Sequence, residues 1–198
     1  GAGSGLGREA AIELAKRGHS VIATTMYEKQ AQEINTLAND RRIDLKSFKL
    51  DINLENDRNK LKELDFDVLI NNAAIGDSGS IADISVDRIE NVFETNVFSN
   101  IKITQVALKN MIENKRGRVI FLSSLAGRIS IPFLGPYCAS KFAIEGFASS
   151  LRKEMKKLDD VNIQIGIIEP GAYATGFNKE NNEKKYEWMY KDSYFKYK

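Results

Sequence analysis

The chain has 198 residues, 42% of them hydrophobic and 28% charged, a globular composition too apolar for a disordered chain, and its length argues for one domain, residues 1–198, around a single core. Lysine and arginine total 29 against 27 acids, a formal charge of +2 with both signs interspersed, so no strong field draws in nucleic acid or a membrane surface. One cysteine, Cys138, excludes an internal disulfide, one histidine, His19, leaves no zinc set and no metal is expected, and no apolar run nears the ~18 residues of a membrane span, so a cytoplasmic protein is expected.

Four of the fourteen glycines, Gly1, Gly3, Gly5 and Gly7, crowd the first seven residues and lead into a helix at about Leu6. Without Cβ atoms the backbone can approach a pyrophosphate, and free amides at a helix start supply partial positive charge. Taken alone, the run reads as a phosphate cradle or as a flexible tail. Residues 8–17, with Ile12, Leu14 and Ala15, predict a helix ended by Gly18, and His19 follows as a surface residue in the turn. Residues 21–25 are short, apolar and rich in β-branched types, as a buried parallel strand requires. A polar helix over about 29–39, a strand at 46–50, a short helix around 56–64 and a strand at 67–70 continue the alternation. That rhythm predicts an α/β protein with a parallel sheet.

Residues 86–113 carry the longest helical pattern, through Ile89, Val92, Phe93, Val97 and Ile101, with Gly117 as its stop. Asn96 falls on that apolar stripe, where a buried amide needs partners. It is either a structural link or part of a proton relay. A strand at 118–122, a helix over 137–158 and a strand at 161–168 complete the pattern, and Pro170-Gly171 ends the last strand. Residues 176–198 mix charged and aromatic side chains with the only tryptophan, Trp188, and suit either a helical flap over a site or a partly ordered tail.

Tyr137 and Lys141 stand four apart at a helix start and share a face. A phenol titrates near 10, and a neighbouring ammonium favours its ionised form, so the pair can serve acid–base chemistry; the alternative is a surface pair. Ser123 and Ser124 end the preceding strand, where open α/β sheets bind ligands, and read as hydroxyl donors or as turn formers. Cys138 reads as a small packing residue. Ile131, Pro132, Phe133 and Leu134, with Tyr173 and Phe177, line an apolar pocket or make ordinary core contacts.

In this order the motifs resemble the short-chain dehydrogenase/reductase family from residue 1 to about Thr175, with wording around Tyr137 like the hydroxysteroid and retinol dehydrogenase-like branch. The resemblance implies a doubly wound parallel sheet, the Rossmann fold, here expected without its first and last strands. It implies a catalytic tetrad of Asn96, Ser124, Tyr137 and Lys141. It also implies cofactor contacts from Gly1, Ser4, Gly5, Leu6 and Gly7, from Asp51 and Ile52 beside the adenine, and from Asn72, Ala73 and Ala74 after the fourth strand. Tyr137 and Lys141 would touch the cofactor too, as would Pro170, Gly171 and Thr175 on the nicotinamide side. NAD-preferring relatives place an acid at the end of the second strand; Thr25 stands there, followed by Met26, so NADP is favoured over NAD, with Arg8 or the weaker Lys29 to meet a 2′-phosphate.

The implied reaction is hydride exchange between NAD(P) and a secondary alcohol or ketone, hydrophobic by the branch it resembles. Tyr137 would move the proton, Ser124 would bind the substrate oxygen, Lys141 would lower the Tyr137 pKa and bind ribose, and Asn96 would hold a relay water. Apolar Phe98, Ile101, Phe142 and Phe147 on the two long helices imply a homodimer or homotetramer. The competing readings are a nucleotide-sugar epimerase or dehydratase, disfavoured by the glycine spacing, and a non-catalytic dinucleotide-binding scaffold.

Overall fold

The β-branched run Val21–Thr25 forms strand β1, which pairs in parallel with β2, Leu45–Lys49, from Val21 opposite Leu45 to Thr25 opposite Lys49. This pair belongs to the first of two units, Gly1–Leu64 and Asp65–Lys198, in the computed structural model, which describes residues 1–195. Helix α1, Gly5–Lys16, covers the pair with Ala11, Ile12 and Ala15 and turns away at Gly18, whose φ of 89° suits glycine. Helix α2, Glu28–Arg41, buries Ala31, Ile34 and Ala38 at helical spacing. Its Asn35 plugs into the strand, accepting from the Ser47 amide at 2.7 Å and donating to the Ser47 carbonyl at 2.9 Å. A short helix α3, Glu55–Asn59, follows β2.

The second unit is built on three parallel strands in the order β3, β4, β5: Val68–Asn71, Arg116–Leu122 and Asn162–Ile168. Val119 and Phe121 of the central strand are fully buried against Ala107, Leu108 and Met111 on one side chain set and Ile144 and Ala148 on another. All the strand pairs are parallel, as the α/β alternation requires.

The expected single helix over residues 86–113 is three pieces: α4, Val86–Phe93, a π-helical turn, Glu94–Ser99, and α5, Asn100–Glu113. The physical reason is Asn100. Its side-chain amide donates to the carbonyls of Thr95 and Asn96 at 2.9 and 3.0 Å, taking carbonyls that an unbroken helix would use, and reaches the Ala73 carbonyl after β3 at 3.0 Å. Gly117 does not stop the helix either. Lys115 makes the left-handed turn at φ 56°, while Gly117 lies inside β4, where a Cβ would overlap the Met111 side chain. Helix α6, Gly135–Met155, starts two residues before the expected position, with Pro136 in its first turn.

Residues 177–192 form a helix, α7 (Phe177–Asp192), entered through Gly176 at φ 86°; residues 196–198 of the expected flap or tail lie outside the described residues. Among the described residues, no helix is long and apolar enough to cross a membrane.

Candidate active site

The carboxyl end of β4, the start of α6 and the π turn bring the four expected catalytic residues to one place in the second unit. Ser124 follows β4 in extended backbone, its Oγ accepting from the Ala126 amide at 3.1 Å. Burial pushes the Tyr137 phenol up from its ordinary value, and the Ser124 hydroxyl opposes this. Lys141 is 4% exposed, lies 5.6 Å from the Tyr137 ring centre and donates to the Leu122 carbonyl at 2.7 Å. Burial lowers its ammonium to about 8, with the Glu145 carboxylate acting the other way. The expected lowering of the Tyr137 pKa by Lys141 is therefore not what governs the phenol in this chain: desolvation dominates, and the ammonium is directed to Leu122.

Asn96 is 1% exposed, and the π turn aims its side chain at the segment after β3. Its amide accepts from the Ile75 N–H at 2.8 Å and donates to the Ile75 carbonyl at 2.8 Å and to Ser140 Oγ at 3.0 Å. Ser140 in turn donates to the Tyr137 carbonyl at 2.7 Å. Both Asn96 amide hydrogens are thus committed, and the side chain braces Ile75 and the first turn of α6.

Asn72, Ala73 and Ala74 are half-buried after β3, and the Ala73 carbonyl is held by Asn100. Pro170 accepts from the Leu125 amide at 3.1 Å; Gly171 is exposed, and the Thr175 amide donates to Tyr173 at 2.9 Å. Tyr173 is exposed, the Phe177 ring sits 5.8 Å from that of Tyr137, and Phe133 meets Phe195 edge-on at 5.5 Å. Cys138 is buried and His19 is exposed, as their sequence context predicts.

Helix α7 grips the segment 76–83. Asn181 accepts from the Gly76 amide at 3.0 Å, Lys184 donates to the Gly76 carbonyl at 2.7 Å, and Ser193 donates to Asp83 at 2.6 Å. Trp188 donates to the Ser78 carbonyl at 3.3 Å, beneath an Arg88 guanidinium 5.5 Å away that is itself paired with Asp77 at 2.8 Å. Gly79, at φ 151°, leaves the room Trp188 fills, since a Cβ there would overlap the indole.

The remaining expected cofactor residues lie in the first unit. Gly5, at φ 56°, opens α1 after an extended Ser4, and the first turn of α1 holds no acid, which fits the pyrophosphate of a dinucleotide. Gly1 and Leu6 are exposed and Gly7 is half-buried. Thr25 is fully buried, and its hydroxyl donates to the Tyr27 carbonyl at 2.9 Å, leaving exposed Met26 and Tyr27 beyond the strand. Asp51 accepts from the Asn53 amide at 2.9 Å, and the Ile52 carbonyl takes a hydrogen bond from Arg58 at 2.7 Å. Asp57 braces this turn, accepting from the Asp51 amide at 2.8 Å and from Lys49 and Lys60 at 2.6 and 2.7 Å.

Ser140, Glu145, Arg128, Asn100 and Asp57 support these positions without having been expected. Only Ser140, inside the Tyr-x-x-x-Lys stretch, and Asn100, one turn after Asn96, carried a local signal.

The model of the family described as short chain dehydrogenase matches residues 1–186. A probable short-chain type dehydrogenase/reductase, VdlC, of Helicobacter pylori is 33% identical over 197 residues, covering 93% of this chain and 68% of that protein. Dehydrogenase/reductase SDR family member 7B of Rattus norvegicus is 43% identical over 112 residues, 57% of this chain and 34% of that protein. The chain thus spans between about a third and two thirds of these curated relatives. Among solved structures, an actinorhodin polyketide ketoreductase with NADPH superposes with a TM-score of 0.86 at 25% identity, over 98% of this chain and 76% of that one.

Proposed function

The chain belongs to the short-chain dehydrogenase/reductase family, and from that premise we propose that it is an NAD(P)-dependent oxidoreductase acting on a hydrophobic secondary alcohol or ketone. One observation carries the reading: the buried Lys141 ammonium lies 5.6 Å from the Tyr137 ring centre, with the Ser124 hydroxyl favouring the ionised form of the same phenol. When bound, the nicotinamide gives or takes the hydride. Tyr137 donates its phenolic proton to the carbonyl oxygen in reduction and accepts the alcohol proton in oxidation. Ser124 donates to the same oxygen and fixes it within reach of the phenol. Lys141 offers its cationic head to the cofactor ribose, and Asn96 keeps the Ile75 segment and the first turn of α6 in place.

Gly1, Ser4, Gly5, Leu6 and Gly7 would hold the pyrophosphate, Asp51 and Ile52 the adenine, Asn72, Ala73 and Ala74 the ribose side, and Pro170, Gly171 and Thr175 the nicotinamide amide. NADP is the preferred form: Thr25 brings no carboxylate to repel a 2′-phosphate, and its hydroxyl is occupied by Tyr27. Phe133, Tyr173 and Phe177 support an apolar substrate wall, with α7 as its flap. The single, buried Cys138 supports a reducing cytoplasmic setting. Phe98 of the π turn and Phe142 and Phe147 of α6, 48, 43 and 48% exposed, support a homodimer or homotetramer through these two stretches, which sedimentation would test. A panel of ketones, diketones and quinones, followed by NADPH absorbance, tests the activity. Binding of NADPH with no turnover at any pH would leave a dinucleotide-binding scaffold instead.

A further inference from the structure

Glu145 follows Lys141 by one turn of α6 and is 8% exposed, although no part of the reaction above uses it. Its Oε2 pairs with Arg128 at 3.1 Å, while Oε1 is buried with no hydrogen-bond partner. Arg128 is 57% exposed and shared with Glu169 at 2.8 Å, so the pairing is on the solvent side. On the inner side, Gly127 packs directly over this turn. A Cβ there would come 3.2 Å from the Lys141 carbonyl oxygen, 3.3 Å from Glu145 Cγ and 2.6 Å from Ser123 Oγ, a hydroxyl that is itself buried without a partner. A carboxylate in such a place is costly unless a cation offsets it. The buried cation one turn away is Lys141, whose ammonium has the Leu122 carbonyl as its hydrogen-bonded anchor.

We propose that Glu145 is a positioning residue that keeps Lys141 protonated, so that the lysine stays a cation toward the ribose and Tyr137. This rests on the NAD(P)-dependent function proposed above. The direction of the electrostatics agrees, since the Glu145 charge opposes the desolvation of Lys141. The charged and titratable groups around the pair are Tyr137 on α6, Arg128 after the short 3-10 turn and Glu169 after β5, whereas β4 contributes the neutral Leu122 carbonyl and the π turn the neutral Asn96. Removing the anion must therefore lower the Lys141 titration, and removing Arg128 must raise it.

The test is carbon-13 NMR of the lysine ε-carbons across pH, with Lys141 assigned through Lys141→Arg, joined to fluorescence titration with NADPH over the same range. In the unaltered protein Lys141 is expected to titrate near about 8. Glu145→Gln, which keeps the shape and removes the charge, should lower that midpoint by about one unit, a tenfold loss of proton affinity. NADPH affinity should begin to fall at correspondingly lower pH. Arg128→Met, on an exposed side chain, should move the midpoint upward. A midpoint not lowered by Glu145→Gln, or not raised by Arg128→Met, overturns the proposal; if Glu145→Gln does not fold, the Arg128 variant decides alone. Should the unaltered protein bind no NADPH, the proposed function fails, while the lysine titration still decides the role of Glu145.

Discussion

Replacing Asn96 with alanine isolates what the π turn contributes. The side chain makes three hydrogen bonds, to the Ile75 N–H, the Ile75 carbonyl and Ser140 Oγ. Ile75 is half-buried, so water can reach its freed groups in part, and each of the three losses costs about 0.5–1 kcal/mol, together about 1.5–3 kcal/mol. Alanine's better helix propensity returns about 0.5 kcal/mol, leaving roughly 2 kcal/mol. For a chain of this size that lowers Tm by about 4–8 °C in a calorimetric scan. Because Ile75 directly follows Asn72, Ala73 and Ala74, NADPH affinity should fall with it. Asn96→Asp sharpens the case: a carboxylate can still accept from Ile75 N–H but cannot donate to the Ile75 carbonyl. The fold then disfavours its charge, so its folded pKa lies above the unfolded value of about 3.9, and stability is retained at low pH and lost as pH rises through the folded value. An alanine variant that melts within about 1 °C of the unaltered protein would refute the assignment of this network.

Tyr137→Phe keeps the ring beside Phe177 and removes the transferable proton, so NADPH binding should persist while turnover falls by ~10² or more, measured in the ketone panel; near-normal rates would place the acid elsewhere. Gly79→Ala sets a methyl against Trp188 at a φ of 151°, a strain of about 1–3 kcal/mol, so α7 should loosen and limited proteolysis near Lys184 and Lys185 should accelerate; unchanged cleavage would count against the grip of α7 on the segment 76–83. For Asp57, burial works against the charge, but Lys49, Lys60 and the Asp51 amide more than offset it and hold the carboxyl well below its usual range. Its stabilisation is therefore complete above the unfolded carboxyl value and is lost as pH falls through the lower, folded one; urea midpoints of Asp57→Asn should converge on those of the unaltered protein in strong acid, and parallel curves would sink the idea.

The sequence carried the local order well and the non-local partners poorly. Strand β1 and the helix bearing Tyr137 and Lys141 were legible because β-branching and the i, i+4 rule act within a few residues. The π turn was not legible as a break, since apolar residues at 89, 92, 93, 97 and 101 tolerate one extra residue per turn; the informative sign was the pair of asparagines, Asn96 and Asn100, four apart. Gly117 was misread because glycine marks both helix ends and close packing, and here Met111 occupies the space that a side chain would need. Glu145 and Arg128 are seventeen positions apart in sequence and meet only because the 3-10 turn after Ser124 folds onto α6. No spacing rule reaches that far.

The arrangement of Ser124, Tyr137 and Lys141 follows from two periods that nearly match. Leu122 and Ser124 are two residues apart along an extended segment, a step of about 6.6 Å, and Tyr137 and Lys141 are four residues apart along a helix, a step of about 6.0 Å. Laid alongside, the segment gives one partner to each: the Leu122 carbonyl takes the Lys141 ammonium and the Ser124 hydroxyl meets the Tyr137 phenol. The same helix stripe continues as Ile144 and Ala148, buried with Val119 and Phe121 of β4 and Ile163 and Ile165 of β5. Apolar packing over the lower half of α6 therefore fixes its register against β4, and the chemistry inherits that register one turn higher. The donors need no loop rearrangement to meet, because two residues of strand and one turn of helix measure nearly the same length.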